Sequence, residues 1–307
     1  MTAVQVKLSS LLRDAAENLR TAGVVDAMAD ARILAANALG LSREEMLREP
    51  HRDLDPAGQK VFEKMIARRW DREPVARILG QREFRSLSFR LASDTLEPRP
   101  DSETIVEAAV EYGERLPVSG LGPLRVLDIG TGTGCLLLAV LTELPGSTGV
   151  GTDIAGGAVE TANRNAGDLG LSDRAVLIRT DWTDDVTGAF DLVLSNPPYI
   201  ESAEIETLAP EVADHDPLAA LDGGADGLDA YRAIAGRLAQ FLSPAGVAVF
   251  EIGAMQRDAV AAIFAAQGFL LVETRDDFGG HPRALVFAAE PLPEWLTNTG
   301  KKGLETP

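Results

Sequence analysis

Apolar residues near the start of the chain recur at helical spacing: Leu8, Leu11, Leu12, Ala15, Ala16 and Leu19 make one stripe, and Gly23 follows where a helix would stop. A second helix is expected after Asp26, ending near Gly40. Ser42-Arg43-Glu44-Glu45 has the form of a capping box opening a short third helix. Val61, Phe62, Met65, Ile66 and Trp70 line one face of a fourth, stopped before Pro74. Residues 1–73 therefore read as a small helical domain with nothing catalytic in it. From 74 to 97 the period changes. Phe84 precedes residues 87–91, which alternate apolar and polar as in a half-buried strand, so this stretch reads as a β-hairpin linker. Pro98-Arg99-Pro100 forces an extended turn, because each proline fixes its own φ and restricts the residue before it. Asp101 is then expected to cap the helix of Ile105, Val106, Ala109 and Val110.

Beyond Leu124 short apolar runs alternate with helical stretches. Strands are expected at 125–129, 149–153, 175–180, 190–195 and 247–252, with helices at 135–144, 158–169, 228–242 and 257–266. Such alternation predicts parallel βαβ units, hence an α/β fold with a doubly wound, mostly parallel sheet over residues 98–290. The last strands, 269–273 and 284–288, have no helix between them and are expected to pair antiparallel. Residues 291–307, rich in Pro, Thr, Gly and Lys, read as a flexible C-terminal tail.

Composition narrows the function. With 307 residues, 45% hydrophobic and 25% charged, the chain can bury a core in each of about two domains. One cysteine, Cys135, and three scattered histidines argue against a metal site. No apolar run is long enough to span a membrane and no signal peptide is evident, so a cytoplasmic protein is expected. Charge is uneven. Residues 1–100 carry 17 basic and 15 acidic side chains, and residues 101–307 carry 12 and 32. The acidic part disfavours general nucleic-acid binding. Residues 60–99 are locally basic, with ten basic and six acidic side chains, either as a docking face or as an ordinary solvated helix surface.

Asp128-Ile129-Gly130-Thr131-Gly132-Thr133-Gly134 falls between the first expected sheet strand and its helix. Glycines let the backbone turn sharply and approach a ligand closely. The dinucleotide fingerprint fails, because Cys135 stands where its last glycine would be. Asp128 would suit a cationic ammonium better than a pyrophosphate. S-adenosylmethionine fits both features; a tight strand-to-helix turn with no ligand is the plainer alternative. Asp153 ends the second strand, where a carboxylate can accept from both ribose hydroxyls, or can simply cap the next helix. Asp181-Trp182 ends the third strand, where the carboxylate could take the adenine amino proton and the indole could cover the purine. Trp182 could equally be a partly buried surface aromatic.

Asn196-Pro197-Pro198-Tyr199 follows the fourth strand, and two successive prolines make a rigid loop there. The chemistry follows from the side chains. A planar amide or aryl amine is a poor nucleophile because its lone pair is delocalised. The Asn196 side-chain carbonyl and the Pro197 backbone carbonyl can both accept from one NH2 group and fix its orientation, while Tyr199 lies against the planar group. This is positioning for in-line displacement and needs no histidine base. The bland alternative is a rigid turn with a capping asparagine.

With its upstream glycine loop, the tetrad resembles class I S-adenosylmethionine-dependent methyltransferases acting on planar exocyclic nitrogens. More narrowly, the chain resembles the bacterial peptide chain release factor glutamine methyltransferases over nearly all of residues 5–289. The matching stretches include Arg72-Glu73-Pro74-Val75, residues 80–84, Pro98-Arg99-Pro100-Asp101, residues 128–134, Asp181-Trp182 and Ser195 through Ile200. Leu221-Asp222-Gly223-Gly224, Asp226-Gly227-Leu228, Glu251-Ile252-Gly253, Gly280 and Arg283 match as well, whereas Arg77, Glu97 and Pro282 depart from the pattern.

The resemblance implies a Rossmann-like seven-stranded methyltransferase sheet with an antiparallel last strand, a helical substrate-docking domain and a hairpin linker. It implies that Gly130, Thr131, Gly132, Thr133, Gly134, Asp153 and Trp182, with Asp128, Asp181 and Asn196, hold S-adenosylmethionine and its product S-adenosylhomocysteine. Asn196, Pro197, Pro198 and Tyr199 would hold the substrate glutamine of a Gly-Gly-Gln loop in class 1 release factors, with Asn196, Pro197 and Tyr199 the catalytic set. A monomer is expected. The alternatives are a ribosomal-protein glutamine methyltransferase, a DNA adenine methyltransferase, opposed by the acidic second part, and a release-factor-binding module without catalysis.

Overall fold

A computed structural model describes residues 7–116 and 122–293. The chain divides into two units: the first runs to Gln81 and takes in Leu208–His215, and the second holds Arg82–Thr207 with the chain from Asp216 onward. The expected tail lies outside the described residues from 294 on.

In the first unit, α1 (Leu8–Thr21), α2 (Ala27–Leu39), α3 (Arg43–Arg48), α4 (Pro56–Trp70) and α5 (Val75–Leu79) enclose a core of Ala16, Leu19, Leu34, Phe62, Ile66 and Ile78. The caps follow the sequence. Ser42 and Glu45 close the expected capping box, and Gly40 takes the left-handed conformation that ends α2. The α4 face differs from expectation. Phe62 and Ile66 are buried, but Val61 and Trp70 are each 44% exposed and Arg69 is buried in their stead. Arg69 tolerates burial because Asp30 (2.8 Å) and Glu211 (3.1 Å) both pair with it. Arg72 also pairs with Glu211 at 2.7 Å, and Arg68 with Glu73 at 2.5 Å. Three arginines of the basic stretch are thus held in ion pairs rather than free to attract a partner. The expected stop before Pro74 hides α5: the proline ends α4's helical pattern but is itself the N-cap of one more turn and a half.

The second unit opens at Arg82, within the hairpin of β1 (Gln81–Phe84) and β2 (Leu87–Arg90). Arg85 and Ser86 both have positive φ, 51° and 60°, at its two-residue turn. No glycine or asparagine announces that turn. The Arg85 guanidinium holds it, bonding to Glu107 and Glu143. Phe84 and Phe89 are buried in the sheet domain's own core, so the hairpin packs as part of that core.

After α6 (Glu103–Gly113) come β3 (Arg125–Ile129), α7 (Cys135–Glu143), β4 (Thr148–Asp153), α8 (Gly156–Asp168), β5 (Ala175–Arg179) and β6 (Phe190–Ser195). Then follow α9 (Pro210–Ala213), which belongs to the first unit, and α10 (Asp229–Leu238), β7 (Leu242–Glu251), α11 (Arg257–Ala266), β8 (Leu270–Asp276) and β9 (Pro282–Ala288). The seven strands order as β5-β4-β3-β6-β7-β9-β8, parallel except that β9 runs antiparallel to both neighbours, as expected. The strand β7 begins at Leu242, so α10 stops at Leu238, sooner than the periodicity suggested. No helix among the described residues is long and apolar enough to cross a membrane.

The order reverses at β3, which pairs with β4 on one side and β6 on the other. In doubly wound sheets a crevice opens at such a point, beyond the carboxyl ends of the strands. The registers bring Ile129, Asp153 and Ser195 to that one edge.

Candidate functional site

At this edge lies a cavity of about 540 Å³. Its walls include Gly130, Thr131, Gly132, Thr133, Asp153, Asp181, Trp182, Asn196 and Pro198. Sequence reasoning singled out all of these. Asp128, Gly134, Pro197 and Tyr199 are not part of its lining, though each lies close in the chain to a residue that is.

The loop after β3 turns on three left-handed glycines, Gly130 (φ 74°), Gly132 (55°) and Gly134 (82°). An added Cβ would meet nothing within 4 Å at Gly130 or Gly132, so backbone conformation, not crowding, requires glycine there. Open space therefore faces the loop where a ligand would lie. At Gly134 the Cβ would press on Leu138 and Ala162, so this glycine serves helix packing. Buried Asn165 fixes the loop from behind, donating to the Thr133 carbonyl (2.8 Å) while its Oδ1 accepts from Arg90 of the hairpin (2.8 Å).

Asp128 is fully buried. Burial pushes its carboxyl up to about 7, against the pull of the Thr131 hydroxyl that donates to Oδ2 at 2.6 Å. Its Oδ1 has no partner at hydrogen-bond geometry within the described residues, and the nearby Leu137 backbone N–H also helps hold the carboxyl down. An unpaired acceptor beneath the loop is an arrangement that favours a cation. Asp153 serves the fold and the cavity together. Its Oδ2 accepts from Gly132 N–H and its Oδ1 from Ala155 N–H, each at 2.9 Å. Burial raises its pKa, and these backbone bonds oppose the rise. Asp181 is exposed, and Trp182 is half-buried with φ at 49°, a strained backbone for a bulky side chain. Asp94, Glu97 and Asp222 add carboxylates to the lining, and among its side chains Arg99 is the basic one, held to Asp216 at 2.5 Å. An acidic, half-enclosed cavity of this size suits a small cationic ligand. Desolvation pushes the Cys135 thiol up to about 12, which disfavours its thiolate at neutral pH.

The tetrad is held from several sides. Asn196 Nδ2 donates to the Ser102 hydroxyl (3.1 Å), and Ser102 donates to Glu251 Oε2 (2.5 Å). The Tyr199 hydroxyl lies 3.4 Å from the other Glu251 oxygen. Ile200 forms a bridge with Asp222, and Gln256 donates to the Tyr199 carbonyl at 2.9 Å. Gly223 packs so tightly that a Cβ there would lie 2.8 Å from Tyr199 Cα. Asn196, on the cavity wall, has no partner for its Oδ1 among the described residues, and neither has the carbonyl of Pro197, the next residue in the loop.

Several of these residues were not identified as functional from sequence. The sequence points to Asp101 rather than Ser102 as the helix cap; a 3-10 turn over Pro100–Ser102 moves the helix start on, and Asp101 faces Arg283 at 3.4 Å instead. The stretch from Asp94 to Arg99, read as linker and turn, lines the cavity, and Glu97 pairs with Arg82 at 3.3 Å. Glu251 has a signal in the sequence: a lone acid closing the apolar run 247–250.

Comparison with known proteins agrees with this architecture. A family model described as PrmC N-terminal domain matches residues 10–80, and one described as methyltransferase small domain matches residues 107–214. A protein of Rhodospirillum rubrum named release factor glutamine methyltransferase is 48% identical over 93% of this chain and 87% of its own. A protein of the same name from Agrobacterium fabrum is 44% identical over 91% of this chain and 96% of its own. Among solved structures, the hMettl16 catalytic domain in complex with a MAT2A 3'UTR hairpin shares the fold. It has a TM-score of 0.52 at 16% identity, over 71% of this chain and 84% of that one. The chain is a methyltransferase and belongs to the release factor glutamine methyltransferase family.

Proposed function

We propose that this enzyme transfers the methyl group of S-adenosylmethionine to the side-chain amide nitrogen of the glutamine in the Gly-Gly-Gln motif of class 1 release factors. The product modulates translation termination in the cytoplasm. The observation that carries the reading is the pair of unoccupied acceptors, Asn196 Oδ1 and the Pro197 carbonyl, on a rigid loop beside an acidic cavity. The names of the relatives at 44% and 48% identity support the choice of substrate.

The residues fit the cofactor. Gly130 and Gly132 present open backbone, Asp128 keeps a buried unpaired oxygen, and Asp153 keeps a free lone pair on each oxygen for the ribose. Asp181 and Trp182 would take the adenine. When bound, the cofactor supplies a methyl group made electrophilic by its sulfonium. The chain's own work is orientation. Asn196 Oδ1 and the Pro197 carbonyl would each accept one N–H of the substrate amide, and Tyr199, with Pro198 beside it, holds the amide plane. With both hydrogens engaged, the nitrogen's remaining direction is toward the cavity. No base need act first, since the nitrogen becomes strongly acidic once methylated.

A free glutamine offers little to recognise, so selectivity must come from contacts away from the reacting amide. We assign these contacts to the helical unit and the surfaces around the tetrad. Arg68, Arg69 and Arg72 each pair with a carboxylate of the protein, which lowers the charge they would offer a partner. The test is incubation with labelled S-adenosylmethionine and purified release factor, with the methylated residue mapped by mass spectrometry. Label on the Gly-Gly-Gln glutamine is the expected result; label elsewhere, or none, rejects the substrate. A short Gly-Gly-Gln peptide should react far more slowly than the intact factor.

A further inference from the structure

Ser102 occupies the N-cap of α6, yet unlike Ser42 and Asp55 it makes no capping bond. Its hydroxyl is used elsewhere: it donates to Glu251 Oε2 and accepts from Asn196 Nδ2. A serine hydroxyl has one proton, and an ionised carboxylate can only accept. While that proton is committed to Glu251, Ser102 can only accept from Asn196. Asn196 must then turn its NH2 toward Ser102 and its Oδ1 the other way.

We propose that Glu251, acting through Ser102, is the positioning residue that fixes which way the Asn196 amide faces, so that Oδ1 is offered to the substrate nitrogen. The proposal rests on the reading of Asn196 given above. Reversing the relay shows what is at stake. With a donor in place of the Glu251 carboxylate, Ser102 can accept from it and give its own proton to Asn196 Oδ1. The Asn196 NH2 would then face the substrate NH2, donor against donor.

The surroundings of Glu251 support this role. It ends β7 at 1% exposure, where an apolar residue would complete the strand at no desolvation cost. Its side chain meets Ser102 and Tyr199, its backbone carbonyl accepts from Tyr231 (2.8 Å), and Arg283 and Asp101 are the nearby charges that act on it. Burial pushes its carboxyl up to about 7, so the ionised, polarity-setting form is held at a cost. Ser102 lines the cavity beside Asn196, and Glu251 lies behind both. Glu251 therefore reaches the Asn196 amide through Ser102, and its other side-chain contact in the tetrad is the longer one to the Tyr199 hydroxyl.

The test uses the full chain and four variants: Glu251→Gln, Ser102→Ala, Ser102→Thr and Asn196→Ala. Turnover on release factor, S-adenosylhomocysteine affinity by calorimetry and melting temperature are measured for each. Glu251→Gln and Ser102→Ala should lower kcat by about tenfold or more, with KM and S-adenosylhomocysteine affinity within about threefold of the parent. Ser102→Thr keeps the hydroxyl and should recover most of kcat. The double variant Glu251→Gln/Ser102→Ala should be no worse than Ser102→Ala alone, because both act in series through one amide. A merely structural role would instead lower ligand affinity and melting temperature together, and the two losses would multiply. Parent-like kcat in Glu251→Gln, or multiplying losses, overturns the relay. If Asn196→Ala itself turns over normally, the underlying reading of Asn196 fails instead, and the two failures are distinct.

Discussion

Replacing Asp153 by alanine separates its two jobs. In the ligand-free protein its oxygens accept from Gly132 N–H and Ala155 N–H, each at 2.9 Å, so the substitution frees two loop donors. Gly132 faces the open cavity, where water can take over. With the carboxylate's own burial cost also relieved, the loss of folding stability should be only about 1–2 kcal/mol. Ligand affinity should suffer more. Two ribose hydroxyls donating to an ionised acceptor are worth roughly 1.5–3 kcal/mol each, so the loss is about 3–6 kcal/mol, or some two to four orders of magnitude in Kd. Calorimetric titration with S-adenosylhomocysteine, alongside melting of the ligand-free protein, reads both quantities. Asp153→Asn should fall between, keeping one carbonyl acceptor. A Kd for Asp153→Ala within about threefold of the parent, with a lowered melting temperature, would leave Asp153 as a tie for the loop and nothing more.

Asn196→Ala should reduce methyl transfer by about 3–4 kcal/mol of transition-state stabilisation, with S-adenosylhomocysteine affinity within a few-fold; near-normal turnover removes Asn196 from the mechanism. Gly223→Ala would set a Cβ 2.8 Å from Tyr199 Cα, so turnover should drop and stability should fall by about 1–3 kcal/mol, whereas unchanged kinetics would mean the tetrad tolerates displacement. For Glu211, burial would raise the carboxyl, but hydrogen bonds from Arg72 and Arg69 hold it down at about 2. A depressed acid stabilises the fold above its ordinary value of 4.5, and that stability is lost as pH falls toward 2, so Glu211→Gln should flatten the acid side of a melting profile. Asp128 and Glu251, raised by burial to about 7, act in the opposite sense: their contribution is full below the ordinary carboxylate range and is lost as pH rises through 7. The ligand-free protein should therefore melt lower at pH 8 than at pH 6, and Glu251→Gln should lessen the difference.

What could be read from the sequence follows the range of the interactions involved. The alternation from β3 to β9, the left-handed glycines after β3 and the capping box of α3 are set by residues within a few positions of one another, and their patterns survive in one dimension. The hairpin turn is the counter-example at short range. Arg85 and Ser86 adopt positive φ without any turn residue, because the Arg85 guanidinium is anchored by Glu107 and Glu143, some 22 and 58 positions away. Arg69 was hidden for a similar reason. On a helical wheel it belongs with the solvated charges, and only Asp30 and Glu211, distant in sequence, make its burial tolerable.

Glycines 223 and 227 show how a motif can be visible while its physics is not. Asp222-Gly223-Gly224 and Asp226-Gly227-Leu228 look like loop composition, and a single sequence gives no reason why side chains should be excluded there. The structure supplies it. The bridge between Ile200 and Asp222 lays this segment directly against the backbone of Tyr199, and a Cβ at Gly223 would lie 2.9 Å from the Gly227 backbone as well. Gln256 then ties the two layers, donating to the carbonyls of Tyr199 and Gly227. The rigidity credited to two prolines is thus shared with glycines more than twenty residues downstream. A proline pair restricts only its own torsions and those of the residue before it. To hold the Asn196 and Pro197 acceptors steady against a mobile amide, the loop also needs a surface to lean on, and that surface is built of residues chosen for having no side chain.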